Sequence, residues 1–353
     1  MSSIHDLIST PAPETMQTSR SILDRARRER LSYYPSPGDW QDQVLYFLLP
    51  DRFNDGKSDT RPLLTRSEIV ALRAAASRPD WNWHNWAESG KRWQGGTIRG
   101  IEQQLDYLEG LSITALWIGP VLKQKARLDT YHGYGIQDFL EVDPRFGTRE
   151  DLLTLTQAAH DRGMLIILDI IVNHCGDCWG YLPRGESDPS KCVKDPPYRH
   201  WPDYYGNPQG TDTRDWRIAW KGEDEKGFTD DPAKIISRDK GIWPRELQVP
   251  ERFTRAGVGS LGEGDMKYDQ AEFRRTDFSV LKDFALDVGP TLNYLADCYK
   301  YWIAIADLDG FRIDTVKHMD LESARNFAGA IREFAESVGK RNFLLISEIA
   351  GGD

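Results

Sequence analysis

The stretch DGFRIDTVKHMD, Asp309 to Asp320, sets an arginine and an aspartate close together at the end of an apolar run and follows them with Lys317 and His318. Side chains alternate along a strand, so Leu308, Gly310, Arg312 and Asp314 share one face while Phe311 and Ile313 share the other. The apolar pair suits packing against helices, and the polar pair then looks inward. In a βα-barrel, inward groups at the carboxyl ends of strands line the active site. A guanidinium beside Asp314 favours the ionised carboxylate, which predicts a lowered pKa and an available nucleophile.

Outward from this stretch, further runs of strand length are VLYFLL (44–49), ITALWI (113–118), MLIILDIIV (164–172) and FLLISE (343–348). All are apolar on both faces, as a parallel sheet covered by helices requires. Helical patterns fall between them: TIRGIEQQLDYLEG, TREDLLTLTQAAHDRG, PTLNYLADCYKYWIAI and LESARNFAGAIREFAESVGK. Thr148 and Gly163 bound the second of these, and Gly339 closes the fourth. Strict alternation of strand and helix predicts an α/β fold of repeated βα units, either a barrel or an open doubly wound sheet.

Residues 1–42 read as a peripheral extension with a short amphipathic helix around SILDRARRERL, ended by the prolines of YYPSPGDW. Residues 43–174 form the first part of the main domain, interrupted at 58–92 by a helical piece and the Trp-rich DWNWHNW. Residues 175–275 are rich in Gly, Pro, Asp and Trp and too long for an ordinary loop, so they read as a small inserted domain. Residues 276–353 continue the main domain.

With 45 basic against 55 acidic residues the net charge is -10, spread without long single-sign runs, which argues against nucleic acid and against an anionic membrane surface as partners. The apolar runs fall short of the roughly 20 residues that cross a bilayer. No secretory leader pattern opens the chain, which points to the cytoplasm. Of the four cysteines, Cys175, Cys178 and Cys192 sit close together. A disulfide or a zinc site is the sharp reading, unpaired thiols the favoured one.

Two other strands end in polar groups on the side where Asp314 lies. DIIVNH brings Asp169, Asn173 and His174, and LLISE brings Glu348. Three apolar strands finishing in such groups at one end predict a shared pocket. Asp314 and Glu348 on neighbouring strands, roughly 5 to 5.5 Å apart, match the carboxylate pair of a retaining glycosidase. Glu348 is then the acid/base and needs a raised pKa, from burial and the neighbouring negative charge.

DIIVNH, GFRIDTVKH and the glutamate of ISEIA, with GLSITALWIGP, YHGYGIQDF and DPRFGT, resemble the signature regions of glycoside hydrolase family 13, the α-amylase family. The similarity runs from about Gln43 to the end of the chain. It implies a (β/α)8 barrel of TIM type with a B domain inserted after the third strand. It implies Asp314 as nucleophile, Glu348 as general acid/base and Arg312 as the group orienting the nucleophile. His132, Tyr134 and His174 then line the subsite under attack, Tyr134 by stacking on the sugar ring, with Asp169 among the substrate-binding residues. Lys317 and His318 resemble the pair that serves the leaving-group side on α-1,4-glucans.

The resemblance also implies a structural calcium ion on Asn173, Asp283 and the carbonyl of His318, oxygen ligands that suit a hard cation. A second calcium site of the family would use Asp55 and Asp59, but Lys57 and the GGT of Gly95–Thr97 depart from its pattern, so an ammonium is expected there instead.

Five βα units are legible and the barrel needs eight, so the expectation is an amino-terminal portion of a longer enzyme, without the family's His-Asp signature of strand seven. The activity implied is retaining hydrolysis of starch, glycogen or maltooligosaccharides. The alternatives are a transglycosidase of the same family, or a catalytically incomplete carbohydrate-binding module, to which Trp81, Trp83 and Trp86 could contribute a sugar-stacking platform.

Overall fold

Each strand-length apolar run forms a strand of one parallel sheet: β1 (Leu45–Leu48), β2 (Ala115–Ile118), β5 (Leu165–Ile171), β10 (Gly310–Asp314) and β11 (Leu344–Ser347), in the spatial order β1-β2-β5-β10-β11. This computed structural model describes residues 3–8, 11–29, 31–57, 66–67, 70, 90–125, 128–194, 201–202, 208–209, 216–222, 227–259, 274–287 and 289–349. The trace of 58–92 lies mostly outside the described residues, as do Asp59, Trp81, Trp83 and Trp86.

The sheet does not close on itself. β1 and β11 are its edges, and Val44, Leu45 and Phe47 at the first edge are exposed. The expectation of parallel strands with two apolar faces holds in the middle of the sheet, where every residue of β5 and β10 is buried. Gly310 is required by the spacing there: a Cβ on it would lie 2.7 Å from the Leu344 Cβ, so only glycine lets β11 approach β10. One residue pair further along, the register sets Arg312 beside Asp169 on one side and Ile346 on the other.

Helices cover the outer face. α4 (Arg149–His160) starts at the Thr148 cap, whose hydroxyl accepts from the Asp151 N–H while the Asp151 carboxylate accepts from the Thr148 N–H. α5 (Thr291–Ala306) and α6 (Leu321–Ser337) flank β10, and Asp320 caps α6. The pattern TIRGIEQQLDYLEG divides into two short helices, α2 (Ile98–Glu102) and α3 (Leu105–Gly110).

The amino-terminal extension is longer in its helix than the sequence suggests. α1 (Met16–Arg28) begins at the Thr15 cap and packs along α5 through Met16, Ile22, Leu23 and Ala26. Beyond it the chain runs to the far end of the sheet, where the Tyr33 hydroxyl donates to the Ala304 carbonyl and the Trp40 indole N–H to the Asn342 carbonyl.

Antiparallel pieces that the sequence did not reveal sit at the carboxyl ends of the strands. β3 (Leu122–Gln124) pairs with β4 (Ile136–Val142), in which buried Gln137 and Asp138 interrupt any apolar signal. The base of the long insertion is zipped by β6 (His174–Cys175) against β9 (Lys282–Asp283), and within it β7 (Trp179–Leu182) pairs with β8 (Arg217–Trp220). Among the described residues no helix is long and apolar enough to cross a membrane.

Candidate active site

At the carboxyl ends of the strands one carboxylate, on β5, gathers donors from β2, β10 and the loop before β4. Asp169 is wholly buried, with a side chain 0% exposed. Its Oδ2 accepts from the Trp117 indole N–H at 3.0 Å and the Tyr134 hydroxyl at 3.1 Å, and its two oxygens accept from Arg312 Nη1 at 3.0 and 3.2 Å. The same Nη1 donates to Asp314 Oδ1 at 2.9 Å, and Nη2 lies 3.0 Å from Glu348 Oε1. One guanidinium therefore serves three carboxylates, and it also lies over the Trp117 ring, 5.3 Å from its centroid.

Asp314 and Glu348 stand on adjacent strands and meet the same guanidinium, and each carboxyl bears on the pKa of the other. Strand geometry causes the approach. The Glu348 N–H continues the parallel ladder to the Ile313 carbonyl at 2.9 Å. Thr315, directly after the nucleophile candidate, adopts a left-handed conformation (φ 52°), rare for a β-branched residue, and aims its N–H at Glu348 Oε2 at 3.1 Å.

The pKa directions run opposite to the sequence expectation. Burial, then the charge of Asp169, pushes Asp314 up to about 7 against the pull of Arg312. Burial likewise pushes Asp169 up to about 6. For Glu348, burial is the largest single influence and raises its pKa, but the Thr315 N–H, Arg312 and the bond from Asp314 together outweigh it and lower the pKa overall. The expectation counted Arg312 for Asp314 alone; its charge is divided three ways, while the Glu348 side chain keeps 36% exposure. The two carboxyls are thus pushed apart, Asp314 upward by burial and Glu348 downward by its donors.

Beside this network lies a cavity of about 410 Å³, within the range of small-ligand sites. His132, Tyr134, His174, Asp314 and His318 line it. The His132 and Tyr134 rings stack at 5.6 Å, and the Tyr134 N–H donates to His132 Nδ1. Gly133 between them has φ 86°, and a Cβ there would fall 2.1 Å from the Pro120 carbonyl, so glycine lets this loop lie against the end of β2. Burial lowers the pKa of His132 and takes His174 down to about 4, which keeps both rings neutral donors and acceptors.

Two expected substrate contacts sit elsewhere. Asp169 lies beneath the floor, where it positions Arg312 and Tyr134 and is shielded from a ligand. Lys317 does not line the cavity; its N–H donates to the Glu348 carbonyl. Sequence reasoning missed Trp117, whose only signal was an indole near the carboxyl end of an apolar strand, and the apolar wall of Phe278 and Leu281.

Of the implied metal ligands, Asn173 and Asp283 meet: the Asn173 amide donates to Asp283 Oδ1 at 2.6 Å. Asp283 Oδ2 is buried with no partner among the described residues, and burial together with the charge of Asp277 raises the carboxyl pKa well above its usual range. An unbalanced buried carboxylate beside an amide oxygen fits a hard cation. At the second implied site the Asp55 carboxylate accepts from the Lys57 N–H. Cys175, Cys178, Cys192 and Cys298 are all free thiols, and no zinc-type cluster surrounds them among the described residues.

The family model for the α-amylase catalytic domain matches residues 47–330. An α-amylase of Streptomyces lividans is 30% identical over 276 residues, covering 74% of this chain and 28% of its own length. A cyclomaltodextrin glucanotransferase of Klebsiella oxytoca is 24% identical, covering 89% of this chain and 38% of its own. The crystal structure of an α-amylase from Geobacillus thermoleovorans complexed with acarbose superposes with a TM-score of 0.51 at 25% identity, covering 90% of this chain and 48% of that one. The chain thus spans less than half the length of each of these relatives. The extent of the family match and the carboxylate cluster inside it lead to one statement: this chain belongs to the α-amylase family.

Proposed function

We propose that this chain carries the nucleophile and the general acid/base of a retaining glycoside hydrolase that cleaves α-1,4-glucans by double displacement, on strands of a (β/α)8 barrel. The observation that carries the reading is the two carboxylates on adjacent strands, Asp314 and Glu348, held by one arginine beside a sugar-sized cavity that Asp314 lines. Two carboxyl groups with one proton between them are what a nucleophile and an acid require.

A sugar entering the cleft separates the two carboxyls. Glu348 loses its remaining solvent, so its pKa rises and it takes the proton, while Asp314 retains Arg312 and is left ionised. Asp314 then attacks the anomeric carbon as Glu348 protonates the departing glycosidic oxygen. In the second step Glu348 removes a proton from water, whose oxygen displaces Asp314. His132, Tyr134, His174 and His318, around the cavity, hold the ring under attack.

Asn173 and Asp283, with the carbonyl of His318, would hold a calcium ion, which would neutralise the buried carboxylate and brace the base of the insertion; the support is the orphaned Asp283 oxygen.

A second reading, transglycosylation, is favoured by Phe278, 49% exposed yet lining the cavity with Leu281, an apolar wall better suited to a sugar face than to water. The test of both is covalent trapping: a slow fluoroglycosyl donor should add one glycosyl mass to a peptide containing Asp314. Label on any other residue, or none with a ligand bound, overturns the nucleophile. Adding an acceptor sugar and separating products tells hydrolysis from transfer.

A further inference from the structure

Tyr134 reaches the cleft from the turn between β3 and β4, where its ring stacks on His132 and its hydroxyl donates to Asp169. The ladder of β3 with β4 ends at the pair Gln124 and Ile136, so the peptide units on either side of Tyr134 lie past its last rung. The side chain of Gln124, 1% exposed, supplies the next one. Its Oε1 accepts from the Gly135 N–H at 2.7 Å, and its Nε2 donates to the Gly133 carbonyl at 2.7 Å and to the Leu122 carbonyl at 2.8 Å. A side-chain amide carries the donor and the acceptor of a peptide unit, which is what a missing strand partner would have offered. Its partners fix which end is oxygen, since a carbonyl needs a donor and an N–H an acceptor.

The clamp is anchored on one side and closed on the other. The Gln124 N–H donates at 2.9 Å to buried Asp143 Oδ2, the same oxygen that meets Arg145 Nη2 at 2.8 Å. Opposite, a Cβ on Gly176 would fall 2.3 Å from the Gly135 carbonyl, and His174 Nε2 lies 3.2 Å from the Tyr134 carbonyl. The turn is thus pressed between Gln124 and the segment that follows β5. Asp169 holds only the tip of the Tyr134 ring, whereas Gln124 holds the backbone that carries it.

We infer that Gln124 is a positioning residue of the cleft: its one amide fixes both peptide units flanking Tyr134 and so sets where the Tyr134 and His132 rings stand against a bound ligand. That this ligand is an α-glucan rests on the proposed function; the placement of the turn does not.

The test uses the whole chain carrying Asp314→Asn, which removes turnover, and adds Gln124→Met, which keeps the volume and removes the amide. Amide hydrogen exchange followed by NMR should quicken at least about tenfold at Gly135 and at Tyr134, whose own N–H Gln124 does not touch, while the Ile166 amide in the sheet holds its rate. Maltotriose affinity should fall at least about tenfold, as expected when buried peptide groups lose their partners. In a Tyr134→Ala background the same substitution should cost less than about threefold, because the ring it positions is gone. Gln124→Glu keeps the shape and the acceptor for Gly135 but, as a carboxylate, has no N–H for the Gly133 carbonyl, and should show a smaller loss in the same direction; it carries the test if the methionine variant does not fold. Exchange at Gly135 and Tyr134 that stays at the parent rate, exchange that quickens equally at Ile166, or an affinity loss of equal size with and without the Tyr134 ring overturns the inference. A parent chain that binds no maltotriose sinks the glycosidase reading instead, and the clamp then stands or falls on the exchange rates alone.

Discussion

At the amino end of β10 the ammonium of Lys340 lies 2.7 Å from Asp307 and 2.9 Å from Asp309, and it donates to the carbonyls of Tyr34 and Asp307. His160, stacked on Tyr34 at 4.0 Å, adds a 2.8 Å bond to Asp309, whose Oδ2 also accepts from the Ile166 N–H. At the carboxyl end, a few residues on, Arg312 is shared by Asp169, Asp314 and Glu348. Both clusters centre on one strongly basic group. The lower one is sealed, with no unpartnered buried side-chain atom, and its Lys340 and His160 lower the pKa of Asp309 despite burial, although burial raises that of Asp307. The upper one divides one cation among three carboxylates and leaves Glu348 partly open to solvent, and burial raises the pKa of both Asp314 and Asp169. A balanced cluster holds the fold; an unbalanced one can do proton chemistry.

The sharpest way to break this contrast is to take the excess charge out of the upper cluster. Asp314→Asn should lower kcat on a glucan by on the order of 10⁴-fold or more, as loss of a nucleophile does. The melting temperature should hold or rise, because a carboxylate held against its preference for charge has been removed. A variant that unfolds instead makes Asp314 a structural member of its cluster. At the other end, Lys340→Met leaves two buried carboxylates without their cation, and should cost about 3–5 kcal/mol in denaturant unfolding with kcat/KM of the folded fraction unchanged.

Asp283 sharpens the contrast from a third position, since its buried Oδ2 has neither lysine nor arginine. Removing divalent ions with a chelator should lower the unfolding free energy by about 2.7 kcal/mol when the ion had been present at a hundred times its Kd. Asp283→Asn should make the melting temperature insensitive to the chelator; an unchanged chelator response in that variant would reject this residue as a ligand.

Much of the upper cluster was legible in the sequence because its members sit at the ends of unbroken apolar strands, where period-two alternation fixes their direction. Arg312, Asp314 and Glu348 were found that way, and the sheet order keeps them on adjacent strands. The direction of the proton was not legible, because it depends on how many carboxylates divide Arg312 and how much solvent reaches Glu348. The lower cluster was invisible although Asp309 opens the decisive stretch: Asp309 meets Lys340 and His160 and Asp307 accepts from the Tyr34 N–H, contacts made only by tertiary packing. The β3–β4 hairpin was missed for a related reason, since Gln137 and Asp138 are buried by tertiary contacts to Arg238 that no local pattern announces.

Trp117 tests whether the upper cluster works through its buried base. Trp117→Phe keeps the ring near Arg312 but removes the indole N–H from Asp169. Loss of one donor to a buried carboxylate should cost about 1–3 kcal/mol in kcat/KM. It should also move the acid limb of the pH profile upward, as Asp169 becomes harder to ionise. A fall in rate with an unmoved limb would reduce the indole to a packing group.

The smallest expected effect is a difference in sign between protein with and without the Asp314 carboxyl. Its folded pKa, about 7, lies above the ordinary 3.8, so its contribution to stability is full below pH 4 and is lost as pH rises through 7. Asp314→Asn has no such loss. The stability of the variant relative to the parent should therefore grow between pH 4 and 7.5, by at least about 1 kcal/mol, as expected of a shift exceeding one pKa unit. Asp309, with a lowered pKa, responds the other way: its contribution is present above the ordinary carboxylate range and fades only in acid, so Asp309→Asn should narrow its gap to the parent as the pH falls. Parallel pH curves from Asp309, just before β10, and Asp314, at its carboxyl end, would mean that the two ends of the strand are not differently balanced, and the proton proposed for the upper cluster would have to be placed elsewhere.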